Sequence, residues 1–142
     1  MARNSERRRV AELLHSAAIH VLRYARQADR YSAIGPAQLS ALSVLVYGGP
    51  CNLRELADAE QVAPPTMTRI VAALRRGGYV RLKRSPDDAR SSIVETTAKG
   101  AAALEKARTA RLDLIDGLLS RNARADIALL GKSLAAVFPQ AP

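Results

Sequence analysis

Pro65, Thr66, Thr68, Arg69 and Arg76 are spaced so that a single helix would present them together. Their neighbours Met67, Ile70, Val71 and Leu74 fall at i, i+3, i+4 and i+7 and form one apolar stripe that must face a core. At ~100° per residue, Pro65, Arg69, Ala72 and Arg76 lie opposite that stripe, with Thr66 and Thr68 flanking the exposed face near its start. The chemistry such a face offers is hydrogen bonding to base edges. An arginine fork can bridge guanine O6 and N7, and a threonine can bond a base or touch a thymine methyl. Small, hydroxyl and guanidinium groups at the start of an exposed helix suit the floor of a DNA major groove.

The residues that follow add charge. Gly77 and Gly78 end the helix through a residue free to take positive φ. A strand then alternates, with Val80 and Leu82 on one side and Arg81 and Lys83 on the other. A polar tip from Ser85 to Ser91 carries Pro86, Asp87, Asp88 and Arg90, and a return strand, Ser92 to Thr96, contains Ile93 and Val94. Between Val62 and Ser91 seven basic residues face two acidic ones, a surplus of five in a chain whose net charge is +9. A basic patch centred on a helix and a hairpin is an electrostatic footprint for phosphate.

Other chemistries find no constellation. There is no Ser/His/Asp or Cys/His arrangement, no glycine-rich phosphate loop and no catalytic carboxylate pair, so no catalytic residue and no cofactor is assigned. His15 and His20 do not share a helix face as i, i+4 metal ligands would, and no metal site is expected. Cys51, the single cysteine, precedes a helix start and lies near Arg54, which favours a thiolate, yet it is read as a passive residue. One cysteine makes no internal disulfide, which agrees with a reducing compartment. Four Tyr, one Phe and no Trp leave few platforms for stacking single-stranded bases. The basic start, with Arg7, Arg8 and Arg9, runs into Glu12, His15, His20 and Arg23, which gives no secretory core. No stretch approaches the ~20 apolar residues that span a bilayer. These features predict a cytoplasmic protein without a membrane partner.

The positioning elements follow from periodicity. At 142 residues the chain is expected to be a single domain, 1–142. Val10, Leu13, Leu14, Ala17, Val21, Leu22, Ala25 and Ala28 predict a first helix over 5–31. Pro36 opens a second helix with Leu39, Leu42 and Val46 inward, stopped by Gly48, Gly49 and Pro50. Asn52 caps a short third helix that turns Leu53, Leu56 and Ala57 inward, and Glu60 and Gln61 make the next turn. Thr97 caps a fifth helix with Ala101, Leu104, Leu112, Ile115, Leu118 and Leu119 on its apolar face. Ser120 to Asn122 break it before a last helix carrying Ile127, Leu130, Leu134 and Val137. The end helices carry more apolar surface than a small core can cover, and left exposed it would promote aggregation. A homodimer joined through 5–31 and 98–138 is the expected resolution. The fold class is mainly α with a small β-hairpin wing (α+β): a winged helix-turn-helix lobe over 36–97 with N- and C-terminal dimerisation helices.

This order of elements resembles the MarR family of bacterial transcriptional regulators. Three pieces carry the resemblance: Leu53-Arg-Glu-Leu-Ala-Asp with Val62 and Pro65-Thr-Met-Thr-Arg-Ile-Val; Leu74-Arg-Arg-Gly-Gly-Tyr-Val; and Asp88-Ala-Arg90 followed by Ser-Ser-Ile-Val-Glu-Thr-Thr97. The resemblance implies a homodimeric repressor whose recognition helices enter successive major grooves of a pseudo-palindromic double-stranded DNA site. It places Pro65, Thr66, Thr68 and Arg69 at bases or nearby phosphates. Arg90 would enter the minor groove with Asp88 orienting it, and a narrow groove does concentrate negative potential for a guanidinium. Asn52, Arg76, Lys83 and Arg84 would hold phosphates. It also implies release by a small aromatic or phenolic ligand in a cleft to which His15, Ile19, Tyr24 and Tyr31 could contribute. Three positions depart from the family pattern: Ala63 replaces a capping Ser or Thr, Thr96 a common Leu, and Ala89 a frequent basic residue.

Overall fold

The computed structural model of the chain describes residues 2–30, 32–88 and 91–139, so Tyr31 and Arg90 lie outside the described residues. Its elements run α1 (Ala2–Asp29), α2 (Pro36–Gly48), β1 (Cys51–Asn52), α3 (Leu53–Ala59), α4 (Pro64–Arg76), β2 (Val80–Arg84), β3 (Ser92–Thr96), α5 (Ala98–Leu119) and α6 (Arg124–Val137). The predicted helices and both hairpin strands are present, and the mainly helical class with a β wing holds. The first helix differs at its ends, beginning three residues earlier than the predicted 5 and stopping at Asp29.

Each short element is fixed by a local device. Gln38 Oε1 accepts the Gly35 amide at 3.1 Å ahead of Pro36, which suits the first turn of α2. At α3, Asn52 Oδ1 accepts the Glu55 amide and Glu55 Oε2 accepts the Asn52 amide, both at 2.9 Å, a reciprocal cap. The N-cap of α4 is Ala63, which offers no side-chain acceptor, so the helix relies on two prolines.

Helices α3 and α4 end by the same pair of backbone bonds. After α3, Val62 N donates to Ala57 O and Gln61 N to Asp58 O; after α4, Tyr79 N donates to Leu74 O and Gly78 N to Arg75 O. Each ending needs one left-handed residue. Gly78 supplies it at φ +74°, whereas the first turn uses Gln61 at φ +54°, a conformation that disfavours any side chain. Of the two glycines expected to end α4, only Gly78 takes positive φ; Gly77 stays near the helical region at φ −74°.

The sheet holds a third strand that the sequence reading missed. Its order is β1-β3-β2, with both pairings antiparallel: Cys51 lies opposite Val94, Asn52 opposite Ile93, and Arg81 opposite Glu95. β1 is two residues long and follows Pro50, so it carries no alternation that would announce it. Asn52 is thus both the last residue of a strand and the cap of the next helix.

The core gathers Ile34, Leu39, Leu42, Leu45, Leu56, Met67, Val71, Leu74, Val80 and Val94 beneath α5 residues Leu104 and Ala107. Leu45 takes the inward place expected of Val46. Val46 lies one residue nearer the end of α2, where Pro50, Ala98 and Ala101 leave an open groove beside it, and it stays 38 % exposed. On the apolar face of α5, Ala101, Leu112 and Leu118 are exposed in a single chain, and α6 buries no residue there. The C-terminal end of α1 is fastened to α5 by a two-pronged ion pair. Arg111 Nε and Nη2 donate to Asp29 Oδ1 and Oδ2, each at 2.9 Å, with the carboxylate side chain only 5 % exposed.

Candidate nucleic-acid interface

Helix α4 divides as its periodicity requires. Met67, Val71 and Leu74 are buried and Ile70 half-buried, while Pro65, Thr66, Thr68, Arg69, Ala72 and Arg76 are exposed. The structure therefore brings the expected base-reading residues onto one open face. Thr68 Oγ1 donates to Pro64 O at 2.9 Å, so its hydroxyl proton is engaged by the helix and its lone pairs remain for a donor. Beside this face a groove of ≈ 500 Å³ runs between α4 and the wing, lined by Leu53, Thr68, Ala72, Arg75, Arg76 and Leu82. Arg75 was counted in the basic patch but not as a site residue; its place in the groove depends on how β2 returns against α4.

The two basic wing residues expected to hold phosphates face different sides of the sheet. Val80, Leu82 and Arg84 alternate onto the side of α4, and Arg84 is exposed there at the end of β2. Lys83 points the other way, where its Nζ lies 2.7 Å from Glu95 Oε2, the same oxygen that Arg81 Nε reaches at 2.7 Å. Hydrogen bonds from Arg81 and then Lys83 pull the Glu95 carboxyl down to about 2. Two of the wing's positive charges are thus shared with one internal carboxylate. Glu95 stands in the wing signature, where the sequence alone assigns it no role, though the hairpin register places it directly opposite Arg81.

Asn52 spends its carbonyl oxygen on the α3 cap, leaving its side-chain amide as the group that could donate to a phosphate. Asp88 is exposed near the tip, where its backbone carbonyl accepts the Ser91 amide at 2.9 Å. Its expected partnership with Arg90 falls outside the described residues. Cys51 is half-buried, and burial, followed by the nearby Glu55 carboxylate, raises its thiol pKa. The thiolate-favouring effect expected of the helix start and Arg54 is outweighed.

His15 and Ile19 stand on the exposed side of α1 and Tyr24 is half-buried. None of the three lines the cavity of ≈ 330 Å³ that opens between the end of α1, residues 32–34, Tyr79 and α5. Its walls include Ile34, Tyr79, Lys99, Ala103, Lys106 and Ala107. No group of three or more potential metal ligands is present among the described residues, and no helix there is long and apolar enough to cross a membrane.

The sequence model of the MarR family matches residues 34–92, from the last residues before α2 to the first of β3. The uncharacterised HTH-type transcriptional regulator ML2140 of Mycobacterium leprae is 35 % identical over 116 residues, which cover 79 % of this chain and 81 % of the relative. Among solved structures, transcriptional regulator Tm0710 of Thermotoga maritima matches with a TM-score of 0.81 at 26 % identity, covering 94 % of this chain and 96 % of that one. A mutant of Escherichia coli MarR complexed with operator DNA shares the fold, with a TM-score of 0.63 at 24 % identity over 92 % of this chain and 94 % of that one. With the exposed helix, the basic wing and the order of elements agreeing with these matches, the chain belongs to the MarR family.

Proposed function

We propose that this chain is a sequence-specific regulator of transcription that binds double-stranded DNA as a homodimer, represses from a pseudo-palindromic operator and works in the cytoplasm without enzymatic activity. The observation that carries the reading is the division of α4. One stripe is locked into the core, while Pro65, Thr66, Thr68, Arg69 and Arg76 stand open beside a basic wing. In this reading Thr66, Thr68 and Arg69 reach base edges, Asn52, Arg76 and Arg84 hold phosphates, and Arg90 enters the minor groove with Asp88 beside it. Lys83 contributes less, because Glu95 already occupies its charge.

The dimer is supported by the apolar side chains that one chain leaves in water. Leu13 and Leu22 on α1 are 63 % and 60 % exposed, and Leu129 and Val137 on α6 are 66 % and 63 % exposed. Burying them against a second copy removes a hazard that one chain cannot. The lobe 36–97 would then read DNA while 5–31 and 98–138 set the distance between two half-sites. The cavity lined by Tyr79, Ala103 and Lys106 supports a second element of the proposal, release by a small aromatic acid, since it offers apolar walls and the Lys106 ammonium.

Fluorescence anisotropy with the chain's own upstream duplex and a scrambled duplex, at two salt concentrations, tests the reading. Tighter binding to the upstream duplex that persists at higher salt is expected. Equal binding to both that salt abolishes would favour the rival, a non-specific architectural protein with the same fold.

A further inference from the structure

The C-terminal end of α4 is held by α5 as well as by its own turn. Ala73, Leu74 and Arg75 give their carbonyls to the amides of Gly77, Tyr79 and Gly78. The carbonyls of Gly77 and Gly78, just past the helix, are taken from α5 and its cap: Lys99 Nζ donates to Gly77 O at 2.6 Å and Thr97 Oγ1 to Gly78 O at 2.7 Å. Lys99 occupies the first turn of α5, the positive end of that helix, where a cation is disfavoured. Its ammonium instead reaches back to the negative end of α4 and lies 4.7 Å from the centroid of the Tyr79 ring. No carboxylate pairs with it among the described residues. Its placement is explained by α4 rather than by its own helix.

We propose that Lys99 is a positioning residue for sequence reading. It pins the C-terminal end of the recognition helix to α5, so that Arg69 and Arg76 meet the duplex at a fixed pitch, and it does not itself touch DNA. The proposal rests on the assignment of α4 as the DNA-reading helix. Lys99 borders the cavity between the end of α1 and α5 with Tyr79 and Ala103, whereas Arg69 and Arg76 are exposed on α4.

K99M keeps the aliphatic stem and removes the ammonium, while K99R restores a donor that can reach Gly77 O and lie over Tyr79. The full chain is titrated with the upstream and scrambled duplexes across a salt series. K99M is expected to lose about tenfold on the upstream duplex, the scale of one charge-assisted hydrogen bond, with less than about twofold lost on the scrambled one. Its salt slope should match the wild type, whereas Arg76→Ala, which removes a phosphate contact, should flatten the slope by about 0.9. K99R should recover most of the discrimination. In the free protein, hydrogen exchange at the Gly78 and Tyr79 amides should quicken in K99M and recover in K99R. K99M that discriminates like the wild type overturns the proposal. So does equal loss on both duplexes with a flattened slope, which would make Lys99 a phosphate contact. If the wild type binds neither duplex, the DNA-reading assignment fails by itself, and unchanged exchange at Gly78 and Tyr79 would still refute the anchor. If K99M does not fold, K99Q carries the same comparisons.

Discussion

Replacing Arg111 by alanine strands a carboxylate. Asp29 sits at the end of α1 with its side chain 5 % exposed, and both its oxygens are held at 2.9 Å by the guanidinium. Breaking a buried pair from one side costs about 3–5 kcal/mol. The Arg111 side chain is 32 % exposed, so water reaches part of the site and the lower end applies, about 3 kcal/mol. Asp29→Ala should cost less, about 2 kcal/mol, because the freed arginine can swing toward solvent. Removing both groups leaves neither charge stranded, so the double variant should resemble Asp29→Ala alone, at about 2 kcal/mol, giving a coupling of about 3 kcal/mol. At this chain length 3 kcal/mol corresponds to a fall in Tm of roughly 10 °C. Urea and thermal unfolding at one fixed protein concentration measure all four corners of the cycle, since any self-association adds a concentration term. A buried pair is screened little, so the coupling should survive added salt at about 0.5 M. Additive single variants, within about 0.5 kcal/mol, would refute the claim that this pair fastens α1 to α5.

Two further outcomes follow from the same packing. Gly100→Ala should cost about 2–3 kcal/mol by urea denaturation, because a Cβ there would run into the backbone carbonyl of Tyr79, which cannot rotate away; a cost below about 0.5 kcal/mol would contradict that contact. Glu95 titrates near 2 in the fold, below its ordinary 4.5, so the stability it contributes is fully present above the ordinary value and is lost as pH falls toward 2. Wild type and E95Q should therefore differ in Tm at neutral pH and converge across that window, and a difference unchanged by pH would show that the Arg81 and Lys83 contacts add nothing.

Most of the fold is legible in the sequence where it depends on local rules. The stripe of Met67, Val71 and Leu74, the caps at Asn52 and Thr97, and the alternation of Val80, Arg81, Leu82 and Lys83 each follow from periodicity or side-chain chemistry. The misses share a cause: they depend on what the chain meets after it folds back. β1 exists only because Val94 and Ile93 arrive opposite Cys51 and Asn52. Val46 and Leu45 differ by a single residue, and which turns inward is decided by the groove at the end of α2. Lys83 looked like a free cation until the register brought Glu95 beside it. The Asp29–Arg111 pair spans 82 residues, beyond the reach of any sequence spacing rule. For the cavity, the family resemblance pointed to His15, Ile19, Tyr24 and Tyr31, whereas the space in a single chain is lined past the end of α1, where Ala33, Ala103, Ala107 and Ala110 are too small to fill it.

One hydroxyl restricts which sequences can close this lobe. Thr97 Oγ1 accepts the Gly100 amide at 3.1 Å, as a helix cap should, and at the same time sends its only proton to the Gly78 carbonyl at 2.7 Å. Four residue types cap helices well, but an aspartate here would set a carboxylate against that carbonyl with no proton between them, and an asparagine amide would have to bend around its own cap to donate. Only serine and threonine perform both tasks with one atom. The position can therefore drift between two residues and no more, and a chain otherwise unlike this one could keep the same end to its reading helix simply by keeping a hydroxyl there.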